Sequence, residues 1–271
     1  MIPNVLSIAG TDPSGGAGIQ ADIKAFSALG AYACSAITAV VAQNTRGVRS
    51  FVALEPEFVA EQIDAVLEDV RIDAVKIGMI ANAAIAEAIA DRLRHHQVRN
   101  IVLDPVMVAK SGHALLAPEA VDAVRDLLVP LATIVTPNLP EAAVLLDRQH
   151  GWSAETMQAA LPELLALGSD WVLLKGGHLE GSATSADLLA GPAGSVETFS
   201  APRLHTSNDH GTGCTLSSAI AALLPRYGVA GAVGRAKAYL HAALAGSEAL
   251  DVGGGHGPVH HFHALWAAEV A

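Results

Sequence analysis

The segment His210-Gly211-Thr212-Gly213-Cys214 combines small residues with a potential proton acceptor, between a polar loop and a long apolar stretch that predicts a helix. Small residues at a helix N-terminus leave backbone N–H groups exposed, and the helix dipole adds positive potential there. Gly211, Thr212 and Gly213 are therefore candidates for an anion hole. A cysteine in the first helical turn is stabilised as a thiolate, so Cys214 could take a proton from an alcohol. Because cysteine is often buried, a structural cysteine in a glycine-rich turn is the better interpretation of this segment alone.

Two carboxylates follow predicted strands. Asp104 comes directly after Ile101–Leu103, and Glu141 follows Thr133–Val135 at the start of a predicted helix. Two carboxylates beside nucleotide phosphates are an ordinary setting for Mg²⁺, which keeps several waters and takes few protein ligands. The alternatives are a turn residue before a proline for Asp104 and a first-turn acid favoured by the helix dipole for Glu141.

Lys175 ends the predicted strand Trp171–Leu174 and precedes two glycines. An ammonium group at the end of a strand, next to a flexible turn, is a reasonable contact for a phosphate. The alternative is a lysine that ends the strand in solvent.

Two further polar segments also follow predicted strands. The run Gly10-Thr-Asp-Pro-Ser-Gly-Gly-Ala-Gly18 lies between the first strand and the first helix. It lacks both the Walker A pattern and the dinucleotide-binding glycine spacing, so close approach to a ligand and a tight turn both remain open. Gln43 follows an apolar strand, and its carboxamide offers a donor and an acceptor to a ligand. The alternative for Gln43 is an ordinary polar strand cap.

The positions of these candidate residues depend on an alternation of strands and helices. The predicted strands are Val5–Ala9, Ser35–Ala42, Ala74–Ile77, Ile101–Leu103, Thr133–Val135 and Trp171–Leu174, followed by a hairpin of Asp187–Leu189 and Val196–Phe199. The predicted helices are Ile19–Leu29, Glu57–Glu68, Ala83–Arg94, Pro118–Leu128, Leu139–Leu146, Thr212–Leu224 and Val229–Leu250. This order predicts an α/β fold whose central, mainly parallel sheet has helices on both faces. We expect one domain over residues 1–271, with ligands beyond the carboxyl ends of the strands.

The composition excludes several classes of protein. The chain has 271 residues, is 51% hydrophobic and carries a net charge of −11. Such acidity disfavours nucleic acids and anionic membranes as partners.

The start of the chain does not read as a signal peptide, and its apolar runs are shorter than a membrane span. Cys34 and Cys214 lie far apart, which favours a reducing cytoplasm. The C-terminal histidines lack a zinc-site frame and read as packing or surface residues.

Together these segments resemble the bacterial hydroxymethylpyrimidine/phosphomethylpyrimidine kinases of the ribokinase-like superfamily. The motifs that carry the resemblance are SIAGTDPSGGAGIQADIKAF, TAVVAQNTRGV, VKIGMI, LDPVMVAKSGHALL, TPNLPEA, LLKGGH, HGTGCTLSSAIAA and, near the C-terminus, GHGPVHHF. The resemblance implies ATP-dependent phosphorylation of 4-amino-5-hydroxymethyl-2-methylpyrimidine and then of its monophosphate, which yields the diphosphate used to make thiamine phosphate. It also implies a homodimer.

The resemblance assigns catalytic roles to several of these residues. Cys214 corresponds to the catalytic base, and Gly211–Gly213 to the anion hole. Asp104 and Glu141 would serve Mg²⁺ directly or through water, and Lys175 would contact an ATP phosphate.

The resemblance also implies a binding site for the pyrimidine. Gln43 and the backbone near Gly10 would hold the ring through polar contacts, with Met79 and Val106 packed against it. A pyridoxal or pyridoxine kinase of the same fold is the nearest alternative, and a binding or regulatory protein without turnover is another. One departure is visible, because Asp209 stands where the family commonly has Thr. An added carboxylate there should repel phosphate unless it faces solvent or a cation.

Overall fold

The core of the molecule is an eight-stranded sheet, seen in a computed structural model that describes residues 1–107, 118–148, 151–179 and 181–266. Its strands are β1 (Asn4–Ala9), β2 (Tyr32–Ile37), β5 (Ala74–Ile77), β6 (Ile101–Leu103), β7 (Ile134–Val135), β8 (Trp171–Lys175), β9 (Thr184–Ala190) and β10 (Val196–Pro202), with β3 (Ala39–Asn44) and β4 (Gly47–Ala53) forming a separate pair. The order across the sheet is β10-β9-β8-β7-β6-β5-β1-β2. All neighbours are parallel except β8–β9 and β9–β10.

Helices cover both faces of this sheet. They are α1 (Gly18–Ala28), α2 (Pro56–Leu67), α3 (Ala83–His95), α4 (Pro118–Ala123), α5 (Leu139–Leu145), α6 (Ala154–Leu165) and α7 (Thr212–Ala245). α1 and α7 pack together against one face, while α2, α3 and α6 build the core on the other. The predicted fold class is therefore confirmed. Part of the LDPVMVAKSGHALL motif, residues 108–116, lies outside the described residues.

The predicted single strand Ser35–Ala42 is wrong, because the chain leaves the main sheet at Thr38. The backbone N–H of Thr38 donates to the Ala9 carbonyl at 3.0 Å, and its hydroxyl donates to the Met79 carbonyl at 2.6 Å. The residues before Thr38 pair with β1, and those after it pair with β4 as an antiparallel hairpin. Both halves are apolar, so periodicity alone does not separate them.

The other predicted elements differ mainly at their ends. Helix α4 continues through a π-helical turn over Val124–Leu128, and the last predicted helix ends at Ala245 rather than Leu250. The break predicted between the two final helices is a kink at Gly228, whose φ is 64°. Helix α6 and strand β4 have no counterpart among the predicted elements.

Among the described residues, one helix, α7, is long and apolar enough to cross a membrane. It has 34 residues, and its most apolar window has a mean hydropathy of 1.3. However, 61% of that window is buried inside the protein. Core helices of soluble proteins have the same properties, and α7 packs against β1, β5 and β6 as such a helix does.

Candidate active site

A cavity of about 720 Å³ lies at the carboxyl ends of the parallel strands. Every site residue predicted from the sequence lines it. These residues are Gly10, Gln43, Met79, Asp104, Val106, Glu141, Lys175, Gly211, Thr212, Gly213 and Cys214. They come from many segments of the chain, and the parallel topology brings most of them together because the strands that precede them end at this edge.

The start of α7 forms one wall of the cavity. Gly211 precedes the helix with a φ of 77°, a conformation that favours glycine, and any side chain there would collide with the Gly16 carbonyl oxygen. The first helical hydrogen bond runs from the Thr215 N–H to the Gly211 carbonyl at 2.8 Å. A Cβ on Gly213 would lie 3.4 Å from Lys175 Nζ and 3.8 Å from Asp104 Oδ2. The helix N-terminus, a cation and a carboxylate therefore meet at one point.

Cys214 is a thiol in this site, which corrects the expectation of a stabilised thiolate. Burial raises its pKa to about 11, and the charges of Asp104 and Asp22 act in the same direction. The ammonium of Lys76 and the backbone N–H of Gly18, which hydrogen bonds to the sulfur, favour the thiolate but do not outweigh burial. The helix N-terminus alone therefore does not ionise this cysteine.

Lys175 links the two predicted metal-binding carboxylates. Its Nζ lies 2.9 Å from Asp104 Oδ1 and 3.9 Å from Glu141 Oε2. The lysine side chain is only 12% exposed, which excludes the interpretation as a solvent-exposed strand end. Burial acts to lower the pKa of Lys175, but Asp104 and Glu141 outweigh it and hold the pKa above its usual range. The site therefore keeps a permanent positive charge.

The two carboxylates differ in their environments. For Asp104, burial is outweighed by Lys175 and Lys76, so its pKa lies below the usual range. For Glu141, burial raises the pKa to about 7, against the effect of Lys175. Glu141 also accepts from the Asn138 N–H at 2.8 Å in a capping box of α5, so the feature named in the alternative interpretation, a first-turn acid, is present as well.

These carboxylates fit a magnesium ion that is held mainly by a nucleotide. No group of three or more His, Cys, Asp or Glu side chains converges as a metal site within the described part of the chain. Asp104 and Glu141 offer carboxylate oxygens on the same cavity wall. Mg²⁺ is commonly held by one or two carboxylates together with phosphate oxygens and waters, so this donor set suits it.

The cavity also has an apolar part. Met79 and Val106 line it, and a Cβ on Gly10 would lie 2.9 Å from the Met79 sulfur. Gln43 reaches the cavity from β3, where the pairing with β4 shifts register between Ala42 and Gln43. Such a bulge re-aims the side chain that follows it.

Sequence reasoning missed a buried ion pair in the cavity wall. The Lys76 ammonium lies 2.9 Å from both carboxylate oxygens of Asp22, which also accept hydrogen bonds from Ser7 and Ser218. Both charged side chains are fully buried. A lysine inside the apolar strand Ala74–Ile77 is the signal that could have found it, because buried lysines are rare unless paired.

Three other polar residues of the cavity were also missed. Asp187 accepts from Lys237 Nζ at 2.7 Å and from the Gly176 N–H at 3.0 Å. His210 donates or accepts at Nε2 toward Asp12 Oδ2 at 2.7 Å. Their partners lie tens to hundreds of residues away in the sequence, so no local pattern marks them.

Asp209, which stands where the family commonly has Thr, has a histidine partner in the structure. Asp209 lines the cavity, and its Oδ1 lies 3.0 Å from Nδ1 of His256. The C-terminal segment that carries His256 is attached to the rim of the cavity, since the His256 N–H donates to the Thr45 carbonyl and the His210 N–H to the Gly257 carbonyl. The added carboxylate therefore faces a histidine, a group that can carry a positive charge. The buried His261 contacts the Thr215 hydroxyl at 3.0 Å.

Comparison with known proteins gives consistent results. A model of the family described as phosphomethylpyrimidine kinase matches residues 12–260. The hydroxymethylpyrimidine/phosphomethylpyrimidine kinase of Salmonella typhimurium is 60% identical over 97% of this chain and 98% of that protein. A crystal structure of phosphomethylpyrimidine kinase from Clostridium difficile is 42% identical, with a TM-score of 0.77 over 88% of this chain and 98% of that one. An ADP complex of Bacillus subtilis pyridoxal kinase is 33% identical, with a TM-score of 0.89 over 97% and 99% of the two chains.

Proposed function

The chain belongs to the phosphomethylpyrimidine kinase family, and from this premise we propose which reaction its cavity performs. It is a small-molecule kinase with the ribokinase-like fold. Its substrate is 4-amino-5-hydroxymethyl-2-methylpyrimidine and then the monophosphate of that alcohol, with ATP as the phosphoryl donor. The resulting diphosphate serves thiamine biosynthesis. The observation that best supports this proposal is the meeting of Lys175, Asp104 and Gly213 beside Cys214 in a cavity that Met79 and Val106 also line.

Phosphoryl transfer depends on positioning and charge more than on covalent chemistry. The acceptor oxygen bonds to the γ-phosphorus while the bond from that phosphorus to the ADP oxygen breaks. Lys175 and the backbone N–H groups of Gly211–Gly213 are the groups that would stabilise the negative oxygens of the transferring group. In the second step a phosphate oxygen of the monophosphate takes the place of the hydroxyl.

Cys214 receives the proton that the hydroxyl loses as the new bond forms. In the enzyme without substrates the pKa of the Cys214 thiol is about 11, so the thiol first gives its proton to solvent, and the thiolate that results then takes the proton of the hydroxyl. Lys76 and the Gly18 N–H are the groups of this chain that stabilise the resulting thiolate.

Magnesium, bound with ATP, supplies charge neutralisation of the phosphates. Asp104 and Glu141 are the residues that would hold it, directly or through water. Asp104 is ionised at neutral pH, while Glu141, with a pKa of about 7, loses its proton more readily once a cation is near.

We expect activity to depend strictly on Mg²⁺. Without the cation, an acidic protein would have to bind ATP, and in the second step a phosphorylated substrate as well, against charge repulsion. Asp104→Asn and Glu141→Gln should each raise the Mg²⁺ concentration needed for half-maximal activity. The measurement is ADP release as a function of Mg²⁺ at fixed ATP. Unchanged magnesium titrations for both variants would show that these carboxylates do not serve the metal.

Substrate choice follows from the Gln43 carboxamide. An aminopyrimidine edge presents an exocyclic N–H donor beside a ring nitrogen acceptor. Gln43 matches this edge, with its oxygen toward the amine and an N–H toward the ring nitrogen. Pyridoxal has a phenolic oxygen and no exocyclic amine at the corresponding edge, so one group would stay unpaired. In a dry pocket that costs about 1–3 kcal/mol, or about 5–150-fold in kcat/KM.

The test of the proposed function is ADP release with the pyrimidine alcohol and pyridoxal side by side. We expect the pyrimidine to be preferred, with pyridoxal a weak substrate. Gln43→Leu should lower kcat/KM for the pyrimidine by about 5–150-fold and change that for pyridoxal much less. A preference of the parent enzyme for pyridoxal would favour a pyridoxal kinase. No turnover with either substrate would favour a binding protein.

We further propose that the chain acts as a single kinase domain in the cytoplasm and forms a homodimer. Two free cysteines suit a reducing compartment. The face of the β3–β4 pair that carries Val40 and Val52 supports self-association, because these side chains are 52% and 68% exposed. The negative net charge gives no support to a nucleic-acid or membrane partner.

A further inference from the structure

Asp12 is a fully buried carboxylate in the glycine-rich segment, and the reaction described above gives it no role. Its Oδ2 accepts from the N–H groups of Gly16 and Ala17 at 3.1 and 2.8 Å, and it lies 2.7 Å from Nε2 of His210. Its Oδ1 accepts from the Ser14 N–H at 2.9 Å and from the Ser14 hydroxyl at 2.6 Å. A buried carboxylate with so many donors holds one defined position.

The contact between Asp12 and His210 fixes a proton on the imidazole. Burial acts to raise the pKa of Asp12, but hydrogen bonds that include those from His210 and Ser14 outweigh it and keep the pKa well below its usual range. The side chain is therefore ionised at neutral pH, and an ionised carboxylate only accepts hydrogen bonds. It follows that Nε2 of His210 carries a proton and donates it to Asp12.

His210 is held at its backbone as well as at its ring. Its N–H donates to the Gly257 carbonyl at 3.0 Å, and it forms a short parallel bridge with Pro258 of the C-terminal segment. The next residue is Gly211, whose φ of 77° begins the turn into α7. Because His210 is fixed at both its backbone and its side chain, it sets the point from which the anion-hole turn starts.

The glycine-rich segment supports the same turn from the other side. Gly211 packs so closely against this segment that any Cβ on it would collide with the Gly16 carbonyl oxygen. A Cβ on Gly16 would in turn collide with the ring of His210. The N–H groups of Gly16 and Ala17 are the ones that Asp12 holds. One carboxylate therefore fixes both neighbours of the anion-hole turn.

We propose that Asp12 is a positioning residue for phosphoryl transfer, which places the anion hole of Gly211–Gly213 against the transferring group. It acts through His210 and the Gly16–Ala17 peptide, and the inference rests on the proposed function. Backbone N–H groups stabilise a transition state only when they already lie at hydrogen-bond distance from the oxygens that gain charge. Because the Asp12 side chain has no surface open to the cavity, its loss should act on kcat and spare KM.

The test compares the binding of ADP alone with that of ADP and aluminium fluoride, each with Mg²⁺ and the pyrimidine alcohol. Aluminium fluoride bound to ADP mimics the transferring phosphoryl group, so its complex depends on the anion hole as the transition state does. Asp12→Asn places an N–H group among the donors that Asp12 accepts. It should lower kcat and weaken the aluminium fluoride complex, each by about 10²-fold, the effect of a displacement of about 1 Å. KM for the pyrimidine and the affinity for ADP should change little.

Variants of two neighbours provide the controls. His210→Ala removes a donor to Asp12 and should show the same split between kcat and KM. His210→Gln, whose amide can also donate to the carboxylate, should retain most of the activity. Ser14→Ala is the matched control, because it removes a donor to Oδ1 and leaves the contacts of Oδ2 in place. It should keep both kcat and the affinity for the aluminium fluoride complex.

Equal loss of affinity for ADP and for the aluminium fluoride complex in Asp12→Asn would overturn the proposal, because a residue that only supports the fold affects both alike. An unchanged kcat would overturn it too. His210→Ala carries the same two tests if Asp12→Asn does not fold. If the parent enzyme phosphorylates pyridoxal and not the pyrimidine, the proposed function fails, while the same comparison with pyridoxal still decides the role of Asp12. No turnover of either alcohol would overturn both.

Discussion

Replacement of Cys214 by alanine is expected to lower kcat by about 10²–10⁴-fold, the usual contribution of a general base, while the pyrimidine still binds. The proposed substrate contacts come from Gln43, Gly10, Met79 and Val106, so KM for the pyrimidine should change little. Cys214→Asp should recover part of the activity, because a carboxylate can also receive the hydroxyl proton. Steady-state ADP release gives kcat, and calorimetry without ATP gives pyrimidine affinity.

Alkylation provides a measurement that does not depend on turnover. A thiol with a pKa of about 11 is almost fully protonated at pH 7, so iodoacetamide should modify Cys214 slowly there and faster as the pH rises toward 11. Modification should abolish activity and be slowed by ATP.

Cys34→Ala is the matched control, since it removes the second cysteine of the chain on β2 without altering the cavity lining. It should keep full activity and leave one alkylation site. A fully active Cys214→Ala enzyme would refute the base role and restore the interpretation of Cys214 as a structural cysteine.

The fold could be predicted wherever the local sequence alone determines the structure of a segment. The strands Ala74–Ile77 and Ile101–Leu103 were predicted with the bounds that the structure has, because each is a short apolar run between polar breaks. The split at Thr38 could not be predicted, since it depends on bonds to Ala9 and Met79 from other parts of the chain. The strand Gly47–Ala53 carries exposed Arg49 and Ser50, which hide its apolar pattern.

The candidate site was predictable for residues that follow strands, and less so for those that act through a distant partner. Lys175 and Asp104 were proposed separately, and the sheet brings them to 2.9 Å. The expectation of a Cys214 thiolate was wrong because sequence shows the helix start but not the depth of burial around it. Asp12 lies within the glycine-rich segment, yet its contact with His210 exists only in the folded chain.

Replacement of Lys175 by methionine should have an effect of similar size to the loss of Cys214, but it should act on both catalysis and stability. Loss of the ammonium removes a charge that stabilises the transferring phosphoryl group. The carboxylates of Asp104 and Glu141 then face that group without a cation between them. We expect kcat/KM to fall by about 10²–10³-fold, as when one preorganised donor is removed from a charge-stabilising site. Lys175→Arg should retain part of the activity, because the positive charge remains.

Thermal and urea unfolding separate the catalytic contribution of Lys175 from its structural one. Asp104 is only 1% exposed, so Lys175→Met leaves a buried charge with less compensation and should lower the free energy of unfolding by about 3–5 kcal/mol. The double variant Lys175→Met/Asp104→Asn removes that charge and should regain much of the stability, yet its kcat/KM should stay at least as low as that of Lys175→Met because neither the ammonium nor the carboxylate is restored. Recovery of activity together with stability in the double variant would show that Lys175 only neutralises Asp104. Recovery of stability alone would assign the stability loss to the uncompensated Asp104 charge, and partial activity of Lys175→Arg is then the result that supports Lys175 as a phosphate-binding residue.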